Sequence, residues 1–187
     1  MTVEEIFTKL ATHMVEGIMI HDGMAIVYDF LALDGYRECH DYHHFAETKN
    51  YRCLYHYYME HYHKLLNVEN IPNPKIVPTS WMKYARPEVD TGTKRNAVRD
   101  MMKRWIDWEK ETKTLLQTSY KELIELGEVA AAKKISCFLC DVDEELKHAE
   151  YKWIKLENLN YDLGYIMGKQ EHMKKKYSAL KRALFDK

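Results

Sequence analysis

Each of four predicted helices places one glutamate on an otherwise apolar face. These residues are Glu16, Glu47, Glu109 and Glu145. They stand in register with apolar residues at steps of three and four, which is the spacing of one helix face. A buried acid is costly unless another group pairs with it. Four such positions in one chain therefore need a chemical explanation.

The fourth helix adds a histidine, because Glu145 and His148 are three residues apart and share a face. Carboxylates bridge and neutralise hard divalent ions, and neutral imidazole completes their ligand shell. Four buried acids without a cation would repel one another and take up protons. A dinuclear metal centre would remove that repulsion. The alternative is that the acids are partly exposed or pair with lysine and arginine, as we expect for the similar Glu60-x-x-His63 near a helix end.

The depths of the four acids match in pairs. Glu16 lies about 16 residues before a first turn near residue 32, and Glu47 lies about 15 residues after it. Glu109 and Glu145 each lie 18 residues from Gly127, where a second turn is expected. At about 1.5 Å per residue, each pair stands at nearly one height in its helical hairpin.

Long helices must position these residues, since the chain has only 7 Gly and 4 Pro among 187 residues, roughly half of average usage. Apolar periodicity predicts helices over about 3–31, 36–66, 94–126 and 129–160. All four prolines fall between residues 72 and 87, which predicts a crossover over 67–93. In an extended form it could return the chain to the far end of the bundle. The basic tail, 161–187, predicts a shorter fifth helix.

Composition excludes several function classes. The chain has 28 basic and 29 acidic residues and a net charge of −1, whereas nucleic acid and anionic membranes favour a basic excess. Its mean hydropathy of −0.55 and short apolar runs predict no membrane span, which needs about 20 apolar residues. The start, MTVEEIF, has acids where a signal peptide would be basic, so we expect a cytoplasmic protein. There we expect the four cysteines to be free thiols in or near the core.

Over residues 5–160 the chain resembles the ferritin-like superfamily, particularly ferritins and bacterioferritins. The segments HHFAETKNYRCLYHYY (43–58), WEKETKTLL (108–116) and EELKHAE (144–150) look like the second, third and fourth helices of that family. The segment DGYRECHDYHHFAE also resembles the starvation-type mini-ferritins. The resemblance implies one all-α domain over residues 1–187. It would be a ferritin-like four-helix bundle with one long crossover and a short C-terminal fifth helix.

The resemblance also implies a site and an activity. The family's metal ligands fall on Glu16, Glu47, Glu109, Glu145 and His148, holding two iron ions, with manganese possible. The implied function is a ferroxidase-type oxidation of Fe(II) by O₂ or peroxide. The implied assembly is a homo-oligomer. This sequence departs from the pattern at Asn50, where the family has a ligating histidine. His44 is a substitute from the same helix, and His21 and Asp22 are alternative ligands from the first helix.

Two further hypotheses stay open at this point. One keeps the metal site and makes the protein an oxidoreductase that acts on an organic substrate or peroxide. The other makes the bundle a structural or partner-binding protein with a degenerate metal site. Asn50, which stands where the family has a ligating histidine, favours this hypothesis.

Overall fold

A computed structural model of the protein describes residues 1–66, 79–84 and 89–185. The helices are α1 (Val3–Phe30), α2 (Asp34–Tyr62), a 3₁₀ helix (Thr79–Tyr84), α3 (Thr91–Glu125), α4 (Val129–Asn158), α5 (Leu163–Gly168) and α6 (Gln170–Phe185). The described residues contain no strand, and the all-α prediction is confirmed. None of the described helices is long and apolar enough to cross a membrane.

Local signals begin and end the long helices. At the start of α1, Thr2 accepts a hydrogen bond from the Glu5 backbone while the Glu5 side chain accepts one from the Thr2 backbone, a reciprocal capping arrangement. Helix α2 ends four residues before the predicted 66, since His63 turns left-handed at φ 52°. Gly127, at φ 78°, makes the predicted turn between α3 and α4.

The four long helices run in the directions that a crossover topology requires. α1 and α2 form one antiparallel hairpin, with Phe7 stacked on Tyr57. α3 and α4 form the second, with Lys113 2.6 Å from Asp143. α2 and α3 are parallel, so the connection between them must join opposite ends of the bundle. The four prolines and most of the predicted crossover, residues 67–78 and 85–88, lie outside the described residues.

Apolar side chains form two cores with a polar layer between them. One core lies at the turn of the first hairpin and includes Met24, Val27 and Trp105. The other lies at the opposite end and includes Phe7, Leu54 and Leu123. Between them the helices contribute buried histidines and glutamates.

The tail differs from the single fifth helix that the sequence predicts, because Lys169 separates the short α5 from α6. α6 runs parallel to α2, with Lys174 2.8 Å from Asp34 at one end and the Phe185 ring 5.2 Å from Phe45 at the other. Gly35 permits the close approach: a Cβ there would stand 2.5 Å from the Gln170 carbonyl oxygen.

All four cysteines are free. Cys39 is buried, as expected for a core thiol, but Cys53, Cys137 and Cys140 are exposed. The expectation of a core position is therefore wrong for these three, because their helix positions face outward.

Candidate metal site

Three of the predicted carboxylates come together in the polar layer, one each from α2, α3 and α4. We call Glu47, Glu109 and Glu145 the carboxylate trio. Burial raises the pKa of Glu47 to about 8, and the charge of Glu145 adds to the rise. Burial also raises the pKa of Glu109 well above its ordinary value, with further contributions from Glu145 and Glu47. These acids therefore hold protons at neutral pH unless a cation replaces them.

Glu145 is the member of the trio nearest solvent. Its side chain keeps 27% of its surface exposed, and burial followed by the charge of Asp141 raises its pKa to about 7. It lines a cavity of about 510 Å³ between α2, α4 and α6. The cavity therefore reaches the trio at Glu145.

One oxygen of Glu109 is fixed and the other is free. Trp105 Nε1 donates a hydrogen bond of 2.9 Å to Glu109 Oε1, and both side chains are fully buried. Glu109 Oε2 is also buried and has no hydrogen-bond partner in the described part of the chain. A buried polar atom without a partner is uncommon and costly, and this one fits an ionic ligand.

Three buried imidazoles flank the trio. His21, His40 and His43 form this histidine cluster around Trp105, with His21 Nδ1 3.0 Å from His40 Nδ1. Burial lowers the pKa of each of the three, so they are neutral, as metal ligation requires. His43 is the member in contact with the trio, its Nδ1 lying 3.8 Å from Glu145 Oε2.

His43 is a candidate ligand that the sequence analysis missed. It stands four residues before Glu47 and therefore shares its face, which was the available signal. His44, considered as the substitute, instead lies half-buried with its Nδ1 3.3 Å from the carbonyl oxygen of Ile18.

Comparison with known proteins rests on structure. No known family model matches the chain, and no curated protein is similar to it in sequence. An iron-soaked variant of the ferritin PmFTN is a structural match with a TM-score of 0.72 and 12% sequence identity, covering 88% of this chain and 94% of that one. The protein has the ferritin-like fold.

Within this ferritin-like bundle the charged neighbours of Glu16 differ from those of the trio. Burial raises its pKa, Arg104 opposes the rise and Glu111 adds to it, so its charged neighbours belong to α3 outside the trio. Gly17, the next residue of α1, packs against α3, and a Cβ there would stand 2.8 Å from the Trp108 ring. An aromatic ring thus fills the space beside Gly17.

Two other predicted positions lie on the wall of the 510 Å³ cavity of the ferritin-like bundle. His148 is exposed there, and its Nε2 lies 3.4 Å from the hydroxyl oxygen of Tyr177, within hydrogen-bond distance. Asn50 lines the same cavity. Of the alternatives from the first helix, His21 belongs to the histidine cluster and Asp22 is half-buried.

No group of three or more His, Cys, Asp or Glu side chains within residues 1–66, 79–84 and 89–185 is arranged to hold a metal ion as it stands. The trio nevertheless fits one by its donor chemistry and by the unpartnered Glu109 Oε2. Binding would need these side chains to turn toward a common point.

Proposed function

We propose that this ferritin-like protein binds Fe(II) at the carboxylate trio and oxidises it with O₂ or peroxide. The observation that carries the proposal is the meeting of Glu47, Glu109 and Glu145 in one layer, where the charge of Glu145 raises the pKa of Glu47 and the charges of both raise the pKa of Glu109. A divalent cation would replace the protons that these acids otherwise hold. The iron with which the PmFTN variant was soaked supports iron as the first metal to test, with manganese second.

The proposed ligands are the trio together with His43 and His148. Carboxylate oxygen and neutral imidazole suit Fe(II) and Mn(II). Bound iron would supply a one-electron couple, with O₂ or peroxide as the electron acceptor. Trp105 would hold Glu109 in place through its hydrogen bond, and the cavity beside Glu145 would admit the oxidant.

The number of iron ions that the site can hold depends on whether α1 supplies a ligand. The family resemblance implies a di-iron centre with Glu16 among its ligands, but Glu16 lies beside Arg104 and Glu111. Gly17, which has no side chain, packs against Trp108 at that level. We therefore propose that the first iron binds at the trio and that a second would require Glu16 to move.

The experiment is an anaerobic Fe(II) titration of the metal-free protein, followed by exposure to air. Glu109→Gln should abolish both binding and the near-ultraviolet absorbance change on oxidation. Glu111→Gln, on the same helix but exposed, is the matched control and should retain both. Glu16→Gln tests whether Glu16 is a ligand. If it is, the variant should bind fewer iron ions per chain than the parent, and if it is not, the number should be unchanged.

A second candidate function is a metal-free structural or partner-binding bundle, favoured by Asn50 and by the ring that fills the space beside Gly17. It predicts no bound iron in the same titration. An oxidoreductase acting on an organic substrate would bind iron but show its turnover only with that substrate. Self-association and a cytoplasmic location stay predictions.

A further inference from the structure

A second cavity, of about 190 Å³, lies between α4, α5 and α6, and His148, Lys176 and Tyr177 line both it and the first. The apolar side chains that line it include Tyr36, Met102 and Leu156, all buried. Four lysines line it, and we call it the lysine pocket: Lys152, Lys155, Lys169 and Lys176. No carboxylate is among the described residues that line it.

The four lysines lack acidic partners, although the protein as a whole is nearly neutral. In the described ranges no Asp or Glu lies within ion-pair distance of any of them, whereas Lys174 and Lys181 on the same tail pair with Asp34 and Glu38. Tyrosine rings take the place of acids. Lys155 and Lys169 lie 5.8 and 5.5 Å from the Tyr165 ring. Such contacts are weaker than a full counter-charge.

Lys152 brings one of these charges into the interior. Its Nζ donates hydrogen bonds to Tyr177 OH and to Cys39 Sγ, the latter at 3.5 Å. It also lies 5.0 Å from the Trp105 ring. Burial lowers the pKa of Lys152, Cys39 opposes this effect, and the charge of Lys176 adds to it.

The positive charges also lie near one another, because Lys152 Nζ and Lys176 Nζ lie 4.7 and 5.3 Å from the centre of the same Tyr177 ring. Like charges held together without a counter-ion raise the free energy of the site. An anion in the lysine pocket would remove that repulsion.

We propose that the lysine pocket binds a small organic carboxylate whose apolar body rests on Tyr36, Met102 and Leu156. The lysines account for the anionic group, and the apolar floor favours a carboxylate with a hydrocarbon or aromatic body over inorganic phosphate. The volume of about 190 Å³ equals roughly six water molecules at about 30 Å³ each. A single ring or a short chain fits this volume, and a nucleotide does not.

The test is calorimetric titration of the full chain with benzoate, hexanoate and inorganic phosphate in the presence of a chelator. Benzoate or hexanoate should bind saturably and more tightly than phosphate. Lys152→Met should weaken carboxylate binding at least tenfold. Lys175→Met removes the same charge from an exposed position of α6 outside the pocket and should have no effect. If Lys152→Met does not fold, Lys155→Met, at an exposed lining position, makes the same comparison.

Three results would overturn the proposal: no saturable binding, phosphate binding as tight as benzoate, or equal weakening by the pocket variant and Lys175→Met. The proposal does not depend on iron, because the chelator keeps carboxylate from binding through a metal. Glu109→Gln, which we expect to lose iron, should keep its affinity for benzoate. The two proposals can therefore fail separately.

Discussion

Replacing Glu47 by glutamine removes one proton-binding group from the carboxylate trio and keeps the size of the side chain. In the folded protein the pKa of Glu47 is raised from the ordinary 4.5 to about 8, first by burial and then by Glu145. Between those pH values the folded state binds more protons than the unfolded state. The free energy of unfolding therefore falls as pH rises from about 4.5 to about 8.

The size of this effect follows from the two pKa values. One pKa unit is equivalent to about 1.4 kcal/mol. The raised pKa of Glu47 thus lowers the free energy of unfolding by on the order of 4 kcal/mol between pH 4.5 and 8. This is a large share of the stability of a typical domain. Without metal, Glu47→Gln should be more stable than the parent at pH 8 by on the order of 2 to 4 kcal/mol. Near pH 4.5 the two should be similar.

The assay is urea unfolding followed by far-ultraviolet circular dichroism between pH 4.5 and 8, with chelator present. The slope of free energy against urea must be equal in parent and variant for the midpoints to be compared. Glu60→Gln is the matched control, since Glu60 is exposed on the same helix. An unchanged pH dependence in Glu47→Gln would refute the reasoning, and so would an equal effect of Glu60→Gln. Added Fe(II) should stabilise the parent at pH 8 and leave Glu47→Gln unaffected.

Two further substitutions test the packing that positions the site. Gly35→Ala should destabilise the protein by roughly 1–3 kcal/mol, because its Cβ would stand 2.5 Å from backbone atoms of Gln170 and overpacking exceeds the helix-propensity gain of about 1 kcal/mol. Thermal melting and trypsin cleavage of α6 measure this, and Gly168→Ala, with nothing within 4 Å, should not loosen the tail. Trp105→Phe should lower the free energy of unfolding by about 1–3 kcal/mol more than Trp108→Phe. Trp105 Nε1 donates a hydrogen bond to Glu109, whereas Trp108 Nε1 has no hydrogen-bond partner in the described residues. Equal losses of unfolding free energy in the two variants would show that the hydrogen bond contributes little.

Helix positions could be predicted from the sequence because they depend on local pattern. The low content of Gly and Pro, the apolar periodicity and Gly127 placed the four long helices to within about four residues at each end. The clustering of the prolines indicated the crossover, and the parallel direction of α2 and α3 agrees with it. Residue counts from the turns predict one common depth for the acids of each hairpin, because rise per residue is nearly constant along a helix.

The direction in which a side chain points could not be predicted in the same way. One residue along a helix is a rotation of about 100°, so Glu16 and Gly17 have nearly the same depth but different neighbours. The same rotation separates His43, which contacts Glu145, from His44, which contacts the backbone of α1. Rotation is set by packing against other helices, such as that of Trp108 on Gly17.

The sequence by itself determined an all-α chain and predicted one glutamate on the inner face of each long helix, since both follow from periodicity. Tertiary structure decided which of those residues meet. It joined Glu47, Glu109 and Glu145 from three helices and left Glu16 beside Arg104. It also laid α5 and α6 against α4 so that Lys152 and Lys176 share one pocket. Contacts between residues of different helices depend on how the helices pack, and no local pattern records that.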